Sequence, residues 1–150
     1  MSETRSVTVT RTYDAPIELV YRAWSEAEHI MRWMKCDAAV TMNVVGWEGR
    51  AGARFSYRMA KAGEFEANVT GRILTADPPR VFEYATDPDP ELGAPELRVR
   101  VELEEVAGGT LLTLRHTGLP SLDFCGIVEG GWSVSLELLR GVVETEEQCA

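Results

Sequence analysis

The chain has 150 residues, enough for one domain that buries roughly two-thirds of its unfolded surface. Apolar residues make up 45% of it, and 15 Lys and Arg against 24 Asp and Glu give a formal charge of −9. That sign excludes the basic footprint that nucleic acid or an anionic membrane requires, so neither is an expected partner, and the acidity reads as solubility. The N-terminus carries no apolar signal core, and no apolar run approaches the ~20 residues of a membrane span. Cys36, Cys125 and Cys149 form no CxxC pair, so the expected compartment is a reducing cytoplasm with all three thiols free.

In chain order, Ser6 to Tyr13 alternates apolar and polar residues and predicts a first strand. Asp14-Ala15-Pro16 then opens a helix, with Asp14 as the cap and proline in the first turn, and Ile17, Val20, Tyr21 and Trp24 follow at helical spacing. Ser25 to Glu28 fits a capping box, which predicts a second short helix carrying Ile30, Met31, Trp33 and Met34. After Cys36 the period changes from helical to alternating. Strands are predicted over Ala38 to Val45, Arg54 to Ala60, Phe65 to about Leu74, Arg80 to Thr86, Leu97 to Glu104 and Thr110 to Thr117.

Glycines from Gly46 to Gly52, Lys61-Ala62-Gly63, Asp77-Pro78-Pro79, the proline-rich Asp87 to Pro95 and Gly108-Gly109 supply the turns. Gly118, Pro120 and Ser121 end the last strand, and Leu122 to Glu129 is a linker or a short helix. From Glu129 to Glu146, Trp132, Leu136, Leu139 and Val143 recur at steps of four, three and four, and Leu138 and Val142 widen that stripe. Such a helix needs a broad apolar surface to lie on. Strands joined by short turns give a mostly antiparallel sheet that coils around it, and space between the two would admit an apolar guest.

Several residues invite a chemical reading. His116, at the end of a strand, would act as an acid, a base or a ligand-orienting group if it points inward, and otherwise is a packed structural histidine. It is the one weak catalytic candidate. His29, on the side of its helix away from Ile30 and Trp33, reads as exposed, and the two histidines lack metal-site spacing, so no metal or cofactor is expected. Ser121, His116 and Asp123 are the residue types of a hydrolase triad, but no GxSxG elbow presents the serine. The segment GWEGRAG near Gly46 lacks the Walker spacing and its final Lys-Ser/Thr, and reads as a turn.

The segments YDAPIELVYRAWSEAEHIMRWM, GRAGARFSYRM, GRILTADPPRVFEY, GGTLLTLRHTGLP and EGGWSVSLELL occur in an order and at a spacing that extend over nearly the whole chain. Together they resemble the bacterial proteins similar to the C-terminal domain of the activator of Hsp90 ATPase, within the SRPBCC (START/Bet v 1-like) superfamily. The resemblance implies an α+β helix-grip fold: a curved antiparallel sheet of about six to seven strands around a long C-terminal helix, with two short helices after the first strand. It covers residues 1 to 150 as one domain.

The fold hosts carriers, cyclases, hydratases and partner-binding modules, so it does not settle function. It does favour a cavity lined by Trp33, Tyr57, Tyr84 and Trp132, with Leu136 from the apolar stripe and with Tyr57, Tyr84 and His116 orienting the polar end of a ligand. The leading expectation is a cytoplasmic carrier or sensor of a hydrophobic or amphipathic small molecule. The alternatives are a cyclase or hydratase using His116 in the same cavity, or a module that binds an Hsp90-type chaperone. The additional N-terminal domain of the eukaryotic activators is not in this sequence, which ranks the chaperone behind the small molecule; a second copy of the chain is a further allowed partner. Many relatives carry a histidine shortly before the Gly-Trp pair. Here Val128-Glu129-Gly130 stands there, so no role is carried over to that position.

Overall fold

In a computed structural model, which describes residues 5–34, 40–63, 65–88, 96–119 and 122–149, the chain opens with β1 (Arg5–Tyr13), α1 (Ile17–Ser25) and α2 (Ala27–Trp33). Six strands follow: β2 (Thr41–Val45), β3 (Arg54–Lys61), β4 (Phe65–Asp77), β5 (Val81–Thr86), β6 (Leu97–Val106) and β7 (Gly109–Leu119). A long helix, α3 (Leu122–Cys149), comes last. The seven strands form one sheet in the order β1-β7-β6-β5-β4-β3-β2. Every neighbouring pair is antiparallel. This is the helix-grip arrangement.

Side-chain alternation decides which face of the sheet is inside. Val99, Val101 and Leu103 of β6 and Leu112, Leu114 and His116 of β7 are buried, as are Phe82 and Tyr84 of β5. The opposite face of β6 is wet and carries ion pairs: Arg100 meets Glu102 at 2.8 Å and Glu83 at 3.4 Å, and Arg98 meets Glu96 at 3.5 Å. At solvent-exposed positions each such pair contributes at most about 1 kcal/mol.

Two irregularities shape the sheet. The β4–β5 register shifts between Ile73 and Thr75, leaving Leu74 as an extra residue, and a bulge of this kind bends the strand and increases its twist. Gly118 is the second. The strand does not stop there as the sequence suggests, because a glycine at φ +90° can serve as the bulge that carries β7 on to Leu119. A Cβ at Gly118 would lie 2.5 Å from the Glu96 carbonyl oxygen. Close approach also explains Gly71, where a Cβ would fall 2.6 Å from the Phe55 ring.

The helix caps differ from expectation. Pro16 occupies the cap position of α1 without a side-chain bond, and the Asp14 backbone N–H donates to Glu144 Oε2 at 3.1 Å. Ser25 is still the last residue of α1, so its backbone cannot also adopt the extended cap conformation, and Glu26 precedes α2 without a side-chain bond. His29 is not exposed: its side chain keeps 12% accessibility and lies 3.3 Å from Glu26.

The terminal helix is continuous from Leu122, so the segment before Glu129 is neither a linker nor a separate helix. Its stripe is as the spacing predicts: Trp132, Leu136, Leu139 and Val143 are buried, while Leu138 and Val142 pack at the margin of the core. The Tyr13 hydroxyl donates to the Leu136 carbonyl at 3.0 Å. Arg140 donates to the Thr12 carbonyl at 3.2 Å and sits over the Tyr13 ring. These contacts tie the second half of α3 to β1. No helix among the described residues is long and apolar enough to cross a membrane.

Candidate functional site

The sheet and the first half of α3 enclose a cavity of about 340 Å³. Tyr57 and Met59 of β3, Tyr84 and Thr86 of β5 and Val99 of β6 face it from the sheet, with His116 of β7 at one side. Ile127, Val128, Trp132 and Ser135 cover it from α3, and Met34, just after α2, closes one end. Among the described residues, none that lines it is a carboxylate, a lysine or an arginine. Ile127, 73% exposed, marks the side that opens to solvent.

Strand register explains how these side chains meet. His116 is paired with Val99, and Val99 with Tyr84, so the three form one row across β7, β6 and β5. Their side chains share the inner face, and with strands ~4.8 Å apart His116 and Tyr84 stand roughly 10 Å from each other at the backbone. The ligand-facing groups are thus set by the sheet, not by loops.

An aromatic cluster packs against Tyr84. Trp47 lies 4.7 Å from Phe55 and 5.1 Å from Tyr84 between ring centroids, and its Nε1–H donates to the Trp24 carbonyl at 2.7 Å. Phe55 meets the edge of Tyr84 at 5.7 Å and stacks beside Tyr57 at 6.1 Å. Aromatic pairs of this kind each add roughly 0.5–1.5 kcal/mol beyond burial. Trp47 belongs to no periodic stretch of the sequence. It sits between turn glycines, and the signal available was a tryptophan where a turn needs none.

At the far wall the Trp132 Nε1–H donates to His116 Nδ1 at 2.9 Å, with the rings edge-on at 71°. Burial drives the His116 pKa down to about 4, so the imidazole is neutral at pH 7. Burial also pushes the Tyr57 phenol up to about 12, and lifts Tyr84 well above its ordinary value with help from nearby Tyr57. The Tyr84 hydroxyl contacts Met34 Sδ at 3.8 Å, a weak acceptor. The wall is therefore uncharged across the physiological range.

Of the residues singled out in the sequence, the cavity brings together Tyr57, Tyr84, His116 and Trp132. Trp33 lies elsewhere: fully buried, it donates from Nε1 to the Ala23 carbonyl at 2.9 Å and packs edge-on against Trp24 at 4.5 Å. Leu136 is fully buried in the core and does not line the cavity. Asp123 is exposed on α3, and Ser121 and Cys36 lie outside the described residues. No group of three or more His, Cys, Asp or Glu able to hold a metal occurs among the described residues. Cys125 is a free, half-buried thiol.

The family model described as Activator of Hsp90 ATPase homolog 1-like protein matches residues 14–144. The chain belongs to that family. This activator-like family falls within the SRPBCC/START superfamily, and several solved structures share the architecture of this chain. Protein CV1439 from Chromobacterium violaceum superposes with a TM-score of 0.85 at 24% identity, over 93% of this chain and 96% of that one. CalU16 from Micromonospora echinospora is 29% identical with a TM-score of 0.71, over 97% of this chain and 80% of its own. The activator-like protein from Aeromonas hydrophila gives 0.78 at 20% identity, over 95% and 94%. No curated protein matches the chain.

Proposed function

We propose that this activator-like domain binds an uncharged, largely apolar small molecule between its sheet and α3, as a carrier or sensor. The observation that carries this reading is the cavity of about 340 Å³ walled by uncharged residues. At protein-like packing density it has room for roughly 15 non-hydrogen atoms. Apolar burial, at about 25 cal/mol per Å², supplies most of the affinity. A charged ligand would lose its hydration without gaining a counter-ion, so the wall selects against ions. Among the described residues His116 has no carboxylate beside it on this wall, and we place binding ahead of turnover for that reason.

Equilibrium dialysis against the tricyclic hydrocarbon fluorene tests the reading. Saturable one-to-one binding is expected, and it should vanish in Val69→Trp, which projects a large side chain from the half-buried wall of β4 into the space. Absence of saturable binding, or binding that the filled variant retains, would remove the cavity from the function.

A further inference from the structure

Trp132 does more than cover the cavity. An indole Nε1–H is a donor and nothing else, so its 2.9 Å bond requires a bare lone pair on His116 Nδ1. In a neutral imidazole the proton is then on Nε2. The single partner His116 has among the described residues leaves Nε2–H without a protein acceptor, on a side chain that lines the cavity and stays 9% exposed. The histidine is thus fixed as a hydrogen-bond donor by a residue on the opposite layer. It cannot accept a proton from a guest at Nδ1 without breaking the Trp132 bond.

The phenols point the same way. Both keep their protons because burial opposes ionisation. Phenol oxygens are weak acceptors, since their lone pair delocalises into the ring, and good donors. The Tyr84 O–H rests on a thioether sulfur at 3.8 Å, a partner that an oxygen acceptor would outcompete.

We infer that the cavity selects, among neutral apolar molecules, those whose polar end is a hydrogen-bond acceptor without a donor, such as a ketone, an ester or a quinone carbonyl, and that Trp132 sets this preference by holding His116 in its Nε2–H form. The inference rests on the cavity-binding reading above and adds the chemical class to it. A guest presenting only an N–H or O–H donor would face His116 Nε2–H donor to donor, and a guest without polar atoms would leave that donor unpaired.

The test uses three planar tricyclic probes of similar size: fluorenone (acceptor only), carbazole (donor only) and fluorene (neither). Dissociation constants from equilibrium dialysis should place fluorenone about tenfold tighter than carbazole in the native protein, the scale of one well-made hydrogen bond. In Trp132→Phe the indole donor is gone, His116 is free to take either tautomer, and that ratio should fall toward one. A purely structural loss would weaken all three probes together and leave the ratio unchanged, which would overturn the inference. So would equal affinities for fluorenone and carbazole in the native protein; with fluorene still bound, the cavity reading would survive. Failure of all three to bind would sink both.

A second measurement needs no ligand and no variant. The ring nitrogens of His116, followed by ¹⁵N NMR in the native chain at neutral pH, should show protonation at Nε2 alone. A proton on Nδ1 would overturn the assignment.

Discussion

The two halves of α3 lie over the same sheet and meet opposite fates. Beyond Trp132 the helix is packed: Leu136, Leu139 and Val143 join α1, and Trp24, Trp33 and Tyr13 fill the space without solvent exposure. Before Trp132 the same helix covers a hollow. The difference is supply of side chains. At the packed end α1 and α2 bring Ile17, Val20, Trp24 and Ile30 into the same buried cluster as α3 and the sheet. At the hollow end α1 and α2 contribute none of the described lining residues, and α3 presents Gly131 on the cavity wall, where a filled interface would carry a large group. A cavity of this kind is made by leaving residues out of one end of an otherwise ordinary core.

That contrast can be broken from either side. The largest effect belongs to the packed end. Trp24→Ala, at a fully buried position in ring contact with Trp33 and Trp132, should cost about 3–5 kcal/mol in chemical denaturation. A loss under about 1 kcal/mol would mean that this end is not close-packed.

Next comes protonation of the cavity wall. His116 titrates near 4 in the folded chain and near 6.5 when unfolded. The unfolded state therefore takes up the proton first as pH falls. Stability from this group is fully present above about pH 6.5, declines between 6.5 and 4, and has lost on the order of 3 kcal/mol below that. Subtracting the curve of His116→Gln, which does not ionise, isolates the contribution from the carboxylates that titrate in the same range. Superimposable pH profiles for the two proteins would show that the imidazole is not buried neutral.

The hollow end should tolerate added volume. Val69→Leu, on the half-buried wall of β4, is expected to change stability by less than about 1 kcal/mol in either direction while weakening fluorene binding. A large destabilisation would mean that the space is already filled. The smallest effect lies in the helix backbone. No atom lies within 4 Å of a Cβ built at Gly126 or Gly130. Replacing either with Ala should therefore stabilise the chain by about 0.5–1 kcal/mol on thermal unfolding, through helix propensity alone. A decrease would indicate that the first half of α3 is not held as helix.

Much of this architecture is legible in the sequence because it depends on local periodicity. The two-residue alternation of Leu97 to Glu104 and the four-three-four spacing from Trp132 to Val143 mark a strand and a helix face on their own. Boundaries were harder. Gly118 reads as a stop, but is a bulge within β7, because only the pairing with β1 shows that the strand goes on. Glycines at 126, 130 and 131 obscured the start of α3, where the helix persists despite their low propensity.

For the candidate site, the residue types were visible and their grouping was not. Tyr57, Tyr84, His116 and Trp132 stand out as amphipathic side chains on inward faces, and each lines the cavity. Trp33 has the same chemistry and packs with Trp24, because its neighbour across the interface is α1 and not open space. Nothing local separates the two cases.

What the sequence by itself determined is which elements form and which face of each is apolar, since these follow from backbone geometry and side-chain period. Tertiary structure alone decided where the hollow falls, that Trp47 packs against Tyr84 of its wall, and that an indole on α3 meets an imidazole on β7. Those outcomes depend on how separate faces come to oppose one another, and a hydrogen bond between residues 16 apart in sequence but on different layers leaves no periodic trace in the chain.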